Sequence, residues 1–435
     1  MRGHRSFQIS SLSEYKDALL DWSKDNQVVA WMDSNEHQDK YSSFEVILAI
    51  RRQTDKSVNE FKNIDEMQQT IDEKKDWLFG YFSYDIKNEI EDLCSNNFDG
   101  LDFPELYFFR PEKLIFINEG KLNFLYLEEF QHEVDADFAK IEALAQGKTA
   151  TSNPEQSVHI KMRIHKDAYF EKAHKFLEHI HRGDIYEANF CQEFYAEDTI
   201  IAPLETYKNL NSISEPPFAT YLKIGHNHLL CASPERYLKK QGQTVISQPI
   251  KGTAARGESV LQDEELQHKL EHDPKERAEN IMITDLVRND LSKSGLKGSV
   301  KVEELCKVYS FKQVHQMIST VTAKVPKNKN PFDLIKETFP MGSMTGAPKI
   351  SAMKIIEELE ETKRGLYSGT VGYFDPEGNF DFNVVIRSIL YNAKRKYVSF
   401  SVGSAITSRS NPESEYQECL LKAKAMRSVL EGSQA

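Results

Sequence analysis

Two segments of the chain carry a pair of glutamates three residues apart near the start of a predicted helix. Glu276 and Glu279 follow an Asp-Pro dipeptide, and Glu415 and Glu418 follow an Asn-Pro dipeptide. Pro is favoured at the first helical position, and residues three apart share one face of a helix. Acidic side chains are also favoured there by the helix dipole, so capping alone would explain each pair. If the two pairs meet, they predict an oxygen-rich site of the kind that suits Mg²⁺.

Four further residues stand where a small anion could be bound or activated. Lys251 lies in a tight turn after a predicted strand, Glu235 lies at a bend, and Arg387 ends an apolar strand. Gly346 belongs to a loop whose backbone amides could approach an anion, although the loop does not have the spacing of a nucleotide-binding Walker motif. The alternative interpretation of Lys251 is an ordinary solvated lysine, and that of the Gly346 loop is a plain turn before a helix. An arginine that emerges from an apolar strand usually holds an anion or pairs with a carboxylate.

The pattern of apolar residues indicates which elements must position these groups. Helical periodicity predicts helices over 167–182, 258–272, 273–293, 331–338, 348–362 and 412–430, with short strands between them. Residues 1–145 read as an N-terminal unit of strands and short helices. Residues 146–158 are small and polar and predict a linker, which leaves 159–432 as a catalytic domain.

Composition excludes several classes of function. The chain has 55 Lys and Arg against 67 Asp and Glu, a net charge of −12, which argues against a nucleic-acid partner. It contains no signal-peptide pattern and no apolar run of membrane-spanning length, so we expect a cytoplasmic protein without a membrane partner. The five cysteines are scattered, and none has the G-x-C-x-G setting of a glutamine amidotransferase nucleophile. If glutamine nitrogen is used, another chain must release it.

From about residue 165 to 430 the sequence resembles the chorismate-binding enzymes, which comprise anthranilate synthase component I, aminodeoxychorismate synthase component I, isochorismate synthase and salicylate synthase. Six blocks carry the resemblance in order: Ser-Pro-Glu-Arg, Pro-Ile-Lys-Gly-Thr, Arg-Ala-Glu-Asn with Asp-Leu-Val-Arg-Asn-Asp, Gly-Ser-Met-Thr-Gly-Ala-Pro-Lys, Gly-Tyr-Phe with Val-Ile-Arg-Ser, and Glu-Tyr-Gln-Glu. The resemblance implies an α/β (α+β) fold of antiparallel sheets packed face to face, with helices outside and the site in a cleft. The first 145 residues resemble only loosely the region that carries tryptophan feedback in anthranilate synthases.

Specific roles follow from the same resemblance. It makes Glu279 and Glu418 direct ligands of Mg²⁺, with Glu276 and Glu415 supporting through water, and the metal would hold the ring carboxylate of chorismate. Glu235 matches the general acid that protonates the departing ring hydroxyl, which requires a raised pKa. The implied substrate contacts are Gly252, Thr253, Lys349, Tyr367 and Arg387, together with amides around Gly403 and Ser404 and the loop of Gly346.

Lys251 separates the subfamilies. Anthranilate synthases carry alanine at this place, whereas aminodeoxychorismate synthases carry the lysine, understood to attack ring C2 before ammonia adds at C4. About one free lysine in 2,500 is neutral at pH 7, so activation by about three pKa units costs on the order of 4 kcal/mol, which burial beside Mg²⁺ could supply. Glu187 occupies the place of the water-activating lysine of isochorismate synthases, which disfavours that activity. The family's active-site histidine falls on Gln316, with His315 one position earlier.

The sequence therefore predicts an enzyme that converts chorismate and ammonia to 4-amino-4-deoxychorismate, for 4-aminobenzoate and folate synthesis. Ammonia would come from a separate glutamine amidotransferase subunit. Anthranilate synthase component I is the nearest alternative. A non-catalytic chorismate or tryptophan binder that regulates a partner is the alternative of another class.

Overall fold

A computed structural model describes residues 2–37, 40–52, 63–73, 75–147 and 158–432 of the chain. Most of the predicted linker, 148–157, lies outside the described residues. The described helices are α1 (Leu12–Ser23), α2 (Ile64–Glu73), α3 (Lys87–Ile90), α4 (Val134–Gln146), α5 (Lys166–Arg182), α6 (Pro203–Ser214), α7 (Val260–His272), α8 (Pro274–Ser294), α9 (Pro331–Thr338), α10 (Lys349–Leu359) and α11 (Pro412–Glu431).

The described strands alternate with these helices along the chain. They are β1 (Arg2–Gln8), β2 (Val28–Asp33), β3 (Val46–Arg51), β4 (Leu78–Phe82), β5 (Leu106–Phe109), β6 (Lys113–Asn118), β7 (Lys121–Leu127), β8 (Lys161–Met162), β9 (Glu187–Ala196), β10 (Phe218–Ile224), β11 (Asn227–Ser233), β12 (Arg236–Gln241), β13 (Thr244–Gln248), β14 (Ile250–Ala255), β15 (Lys301–Ser310), β16 (Val314–Lys324), β17 (Gly346–Ala347), β18 (Thr370–Phe374), β19 (Phe380–Asn383), β20 (Ser388–Asn392) and β21 (Tyr397–Thr407).

These strands form two large antiparallel sheets. The first has the order β1-β7-β6-β3-β2-β10-β11-β20-β21-β9-β17, and β8 also pairs with β9. The second has the order β14-β16-β13-β12-β19-β18-β4-β5, and β15 also pairs with β16. Both sheets combine strands from the two sides of residue 145, because β2 pairs with β10 and β4 pairs with β18. The N-terminal residues therefore complete the same two sheets rather than forming a sheet of their own.

Strand β2 shows how the two sheets pack. Val29 and Trp31 belong to the apolar core that includes helices α1, α5 and α11, whereas Val28 and Ala30 belong to the core shared with the second sheet. Successive side chains of a strand point to opposite faces, so β2 is buried on both sides. The prediction of antiparallel sheets packed face to face with helices outside is confirmed.

The helix boundaries follow local signals in the sequence. Asp273 accepts hydrogen bonds from the first backbone amides of α8, and Asn411 does so for α11, as expected of N-cap residues before proline. Gly183 ends α5 with φ +91°. Helix α10 is shorter than the predicted 348–362, because Glu360 leaves the helix to pair with Arg364 and the amide of Cys191. Among the described helices, none combines the length and the apolar character that crossing a membrane requires.

Candidate active site

A cleft of about 590 Å³ opens between the start of β14, the starts of α8 and α11, and the middle of β21. Most of the predicted site residues line it, although they come from segments far apart in the chain. Those in its lining are Glu235, Lys251, Gly252, Thr253, Glu276, Glu279, Tyr367, Arg387, Gly403, Glu415 and Glu418. The two sheets and two helix starts therefore bring together what the sequence presents as separate blocks.

The two acidic helix starts meet in this cleft. The ammonium of Lys275 lies 3.4 Å from Oε1 of Glu415 and 3.8 Å from Oε1 of Glu279, so one cation reaches a carboxylate of each helix. Glu418 pairs with Lys422, one turn further along α11, at 2.6 Å. Capping does not explain the contact between Lys275 and Glu415, since it joins two helices rather than satisfying the backbone of one.

Burial and the repulsion between neighbouring carboxylates raise the pKa of Glu276 and of Glu279. Burial raises the pKa of Glu279 to about 7, and the charges of Glu187 and Glu276 add to the rise against the opposing effect of Lys251 and Lys275. Burial, followed by the charge of Glu418, raises the pKa of Glu276. Oε1 of Glu279 is buried and accepts no hydrogen bond from the described part of the chain. The cluster thus holds more negative charge than its neighbouring lysines balance.

These donors fit Mg²⁺. In the part of the chain that the structure describes, no three carboxylate, imidazole or thiol groups already converge as a metal cage does. Mg²⁺ does not need such a cage, because it usually binds one or two carboxylates and keeps several waters. Glu279, whose Oε1 makes only the long contact with Lys275, and Glu418 would hold the ion directly, and Glu276 and Glu415 would support it through water.

Lys251 points into the cleft from a bend in β14. Gly252 follows it with φ +105°, a conformation that favours glycine. The Lys251 ammonium donates a hydrogen bond to Oε1 of Glu187 at 2.9 Å. Burial opposes its charge, but the carboxylates of Glu187 and Glu279 outweigh burial and raise the pKa of Lys251. These protein groups therefore favour the ammonium form, which differs from the predicted uncharged amine, because the sequence could not show how many carboxylates surround Lys251.

Glu235 has the environment of a carboxylic acid. It is buried next to β12, and Oε1 accepts a hydrogen bond of 2.7 Å from the hydroxyl of Ser343. Burial raises the pKa of Glu235 to about 7, although the Ser343 hydrogen bond and the charge of Lys251 oppose the rise. A substantial fraction of this carboxyl group is thus protonated near neutral pH, as a general acid requires.

Arg387 supplies positive charge on the opposite side of the cleft. Its backbone adopts φ +53° just before β20, and its guanidinium makes no hydrogen bond or ion pair with any residue that the structure describes. Burial lowers the pKa of Arg387, yet an arginine remains charged in proteins. Tyr367 stands in the same lining, with its hydroxyl 3.6 Å from Sγ of Cys191. A half-buried guanidinium that pairs with no described residue is suited, in a cleft, to bind a carboxylate.

Three predicted substrate contacts lie outside the lining. The ammonium of Lys349 pairs with Asp290 at 2.5 Å and donates to the carbonyl of Thr338 at 2.9 Å. Ser404 lies 3.1 Å from the hydroxyl of Tyr169, on the face of β21 opposite to Gly403. Gly346 pairs with β9, where an added Cβ would lie 2.1 Å from a backbone oxygen. These positions pack the walls of the cleft instead of facing it.

The placement of Lys349 leads to a stability prediction. Lys349→Met should lower the free energy of unfolding by on the order of 2 kcal/mol. Breaking a buried ion pair usually costs about 3–5 kcal/mol, but here Lys293 remains 3.0 Å from Asp290 and still balances its charge. Lys293→Met, at the half-exposed partner, should cost less than about 1 kcal/mol. Urea unfolding measures both. A change of more than about fivefold in chorismate affinity for Lys349→Met would contradict its placement away from the cleft.

Neighbouring residues of β16 resolve the question of the histidine. Gln316 lines the cleft, and its Oε1 is buried without a hydrogen-bond partner. His315 points to the other face, where Nε2 lies 2.9 Å from Asp263 and Nδ1 lies 2.8 Å from Ser310. Strand alternation separates the two side chains. The residue at the cleft is therefore the glutamine.

Sequence reasoning missed several residues that shape the cleft. Ser343 and Asn189 contribute to its lining, and Lys422 binds the carbonyl oxygen of Gly403 at 2.8 Å. Asn280 donates to the carbonyl oxygen of Lys251 at 3.0 Å and so fixes the bend that carries the lysine. Ser343 and Asn280 stand inside recognised blocks, so their neighbours in the sequence could have drawn attention to them.

Comparison with known protein families agrees with this arrangement. The sequence profile of a family described as chorismate binding enzyme matches residues 27–428. A Synechocystis protein named anthranilate synthase component I-like is 35% identical over 358 residues, which are 82% of this chain and 73% of the relative. Aminodeoxychorismate synthase component 1 of Bacillus subtilis is 31% identical over 364 residues, 82% of this chain and 77% of the relative. A probable chloroplastic aminodeoxychorismate synthase of rice is 41% identical over 270 residues, 61% of this chain and only 30% of the rice protein.

Solved structures share the fold. Anthranilate synthase component I of Streptococcus pneumoniae superposes with a TM-score of 0.72 at 26% identity, covering 80% of each chain. The menaquinone-specific isochorismate synthase of Escherichia coli superposes with a TM-score of 0.75 at 18% identity, covering 99% of this chain and 95% of that one. The family profile spans every described strand except β1 and every residue of the cleft lining, and the chain belongs to the chorismate-binding enzyme family.

Proposed function

We propose that this protein is component I of an aminodeoxychorismate synthase, which converts chorismate and ammonia to 4-amino-4-deoxychorismate and water. The observation that carries the proposal is the amine of Lys251 in the lining of a cleft that also holds Glu235, Arg387 and the acidic helix starts. An uncharged lysine amine is a strong nitrogen nucleophile, and Lys251 shares the cleft with the carboxylic acid of Glu235, whose pKa is raised. Lys422 also lines the cleft, but its ammonium is held by Glu418 and by the carbonyl oxygen of Gly403. Membership of the family supports chorismate as the substrate.

In this proposal the cleft would hold the two carboxylates of chorismate at separate places. Arg387, half-buried and without an ion-pair partner among the described residues, would bind the enolpyruvyl carboxylate together with the Tyr367 hydroxyl. Mg²⁺ bound by Glu279 and Glu418 would supply the positive charge that holds the ring carboxylate among acidic side chains. With both ends fixed, the ring would lie between Lys251 and Glu235. Such positioning turns amine attack into an intramolecular event and can supply a large part of the rate.

The protein's own groups account for each proton and bond. The Lys251 amine adds to ring C2, the two ring double bonds each shift by one position, and the bond from C4 to oxygen breaks. Glu235 donates its proton to the departing oxygen, which leaves as water. Ammonia then adds to C4, the double bonds shift back, and the bond from C2 to the lysine nitrogen breaks. The free lysine is restored, the product carries an ammonium at C4, and Glu235 regains a proton from solvent.

The proposal includes a second subunit. None of the five cysteines stands in a glutamine amidotransferase motif, so the chain offers no nucleophile of that type for releasing ammonia from glutamine. The relatives from Bacillus subtilis and Escherichia coli are named component 1, which implies a further component in those organisms. A glutamine amidotransferase partner would therefore supply ammonia here, and a high concentration of an ammonium salt should replace it.

Anthranilate synthase component I is the second candidate. Its support is the identity to proteins of that name, including 33% over 82% of this chain for the Thermus thermophilus enzyme. The two reactions share chorismate and ammonia but place nitrogen at different ring carbons, and only anthranilate formation releases pyruvate. The products therefore separate the two candidates cleanly.

The test is product identity. Purified protein with chorismate, Mg²⁺ and an ammonium salt should give a non-aromatic product with the mass of aminodeoxychorismate, without anthranilate fluorescence and without pyruvate. Chelation of divalent ions should abolish turnover, and added Mg²⁺ should restore it. Fluorescent anthranilate with stoichiometric pyruvate as the main products would refute the assignment in favour of the second candidate. Tight chorismate binding without turnover, with ammonium and amidotransferase both present, would favour a binding protein instead.

A further inference from the structure

We propose that Glu187 is a catalytic residue that takes a proton from the Lys251 ammonium before the amine attacks, and returns it when the amine departs. The inference rests on the proposed function, because it concerns how that nucleophile is activated. Its basis is the placement of one buried carboxylate behind the lysine. The sequence alone assigns Glu187 only to a position where other members of the family have a water-activating lysine.

Glu187 contacts the amine of Lys251 but does not line the cleft. It begins β9, where its backbone pairs with Thr407 of β21 and Ala347 of β17, and its side chain is 1% exposed. Oε1 accepts the hydrogen bond of 2.9 Å from Lys251, yet Glu187 is not among the residues that line the cleft. A base in this position can exchange a proton with the amine while chorismate occupies the other side.

No other carboxylate that the structure describes lies within ion-pair distance of the Lys251 nitrogen. Glu279 and Glu418 influence Lys251 only through their charge at longer range. Proton transfer between heavy atoms needs hydrogen-bond contact, so Glu187 is the side chain placed to perform it.

A second glutamate on the same strand shows why this pair is unusual. Glu193 is also buried, but its two oxygens accept hydrogen bonds from Arg163 at 2.9 Å and from the hydroxyl of Tyr397 at 2.9 Å. Arginine does not lose its proton in proteins, so that pair is structural. Glu187 instead faces a lysine, which can lose a proton, and its buried Oε2 has no hydrogen-bond partner among the residues that the structure describes. An unsatisfied oxygen is costly in a purely structural ion pair.

The protons exchanged between Lys251 and Glu187 balance over one catalytic cycle. Before attack, the pair is an ammonium and a carboxylate. One ammonium proton first passes to Glu187, which becomes a carboxylic acid and leaves a neutral amine with a free electron pair. That amine then forms the bond to C2, while Glu235 separately gives its proton to the oxygen that leaves as water. When ammonia has added to C4 and the lysine has departed as a neutral amine, Glu187 returns the proton to Lys251. No oxidant, reductant or further reactant is needed.

The experiment measures formation of the covalent adduct between the protein and chorismate, with Mg²⁺ present and ammonia absent, by rapid mixing and intact mass. Glu187→Gln should lower the rate of adduct formation by a factor on the order of 10² or more, the usual contribution of a general base. Its affinity for chorismate should change by less than about threefold, because Glu187 does not line the cleft. Glu193→Gln, a buried carboxylate changed to an amide on the same strand, is the matched control and should keep adduct formation within about threefold of wild type.

A chemical rescue separates proton transfer from simple positioning of the lysine. Glu187→Ala should form adduct as slowly as Glu187→Gln, and added formate, a small carboxylate that fits the vacated space, should raise the rate at least about tenfold. Glu187→Asp, which keeps a carboxylate, should retain at least about tenfold more rate than Glu187→Gln even if it is less stable. Formate should have no effect on the wild type.

The outcomes distinguish this inference from the proposed function. If wild-type protein forms neither adduct nor aminodeoxychorismate, the proposed function fails. If wild-type protein forms the adduct and Glu187→Gln forms it within about threefold of the same rate, only the role of Glu187 is overturned. A slow Glu187→Ala that formate does not rescue would also overturn it, since Glu187 would then act only by holding Lys251 in place.

Discussion

Lys251→Ala is expected to lower the turnover number for amination of chorismate by a factor on the order of 10³ or more, because it removes the nitrogen that forms the covalent intermediate. The carboxylate sites on either side of the ring remain, so the affinity for chorismate should fall by less than about tenfold. Steady-state kinetics with ammonium as the nitrogen source measures the first effect, and calorimetric titration of chorismate measures the second. A variant that keeps more than about a tenth of the wild-type turnover would remove the nucleophile role.

The charge of Lys251 needs its own control. Alanine leaves Glu187 buried without its cation, which is destabilising in itself. Lys251→Arg keeps a cation beside Glu187 but offers no nucleophilic amine. If the role is nucleophilic, Lys251→Arg should be as inactive as Lys251→Ala while its thermal unfolding stays closer to wild type. If the role is only to balance charge, Lys251→Arg should recover most of the activity.

Glu235→Gln is the second substitution for which we expect a large loss. The amide keeps the shape of the side chain but cannot protonate the departing hydroxyl, so turnover should fall by a factor on the order of 10² to 10⁴. In the wild type, kcat/KM should decrease as pH rises through about 7, because burial places the pKa of Glu235 there and only its protonated form is active. The variant should lose this limb of the pH profile.

Ser343 offers a matched control for that assignment. Its hydroxyl donates to Oε1 of Glu235 at 2.7 Å and holds the pKa of Glu235 below the value that burial alone would give. Ser343→Ala should therefore raise the pKa of Glu235, and the decrease in kcat/KM should move to higher pH. If the decrease in kcat/KM occurs at the same pH in Ser343→Ala, or is still present in Glu235→Gln, the group that causes it is not Glu235.

Much of the fold and of the site could be predicted from local signals. The Asp-Pro and Asn-Pro starts of α8 and α11 define both helices to within a residue, and the spacing of their glutamates defines a common face. The distance in space between the two helix starts could not be predicted from such local signals. The starts of α8 and α11 are separated by more than a hundred residues, and β14 and β21 bring them together through pairings that depend on the whole of both sheets.

Some residues of the recognised sequence blocks have side chains that do not face the cleft. They show what a motif alone cannot predict. Lys349 belongs to a recognised block, yet it pairs with Asp290 on α8, and Ser404 faces away from the cleft because strand alternation turns it from Gly403. The charge state of Lys251 could not be read from its turn, since the carboxylates that raise its pKa come from β9 and α8. A block identifies a segment of the site, and only packing decides which of its side chains reach the substrate.

The central claim is that an amine of this chain attacks chorismate in a cleft formed by both sheets. The most direct measurement is the intact mass of wild-type protein mixed with chorismate and Mg²⁺ in the absence of ammonia, followed by peptide mapping. We predict a mass increase equal to chorismate less one water, located on Lys251 and lost when ammonium is added as aminodeoxychorismate appears. Turnover to an aminated product without any such adduct, or an adduct on another residue, would contradict this account.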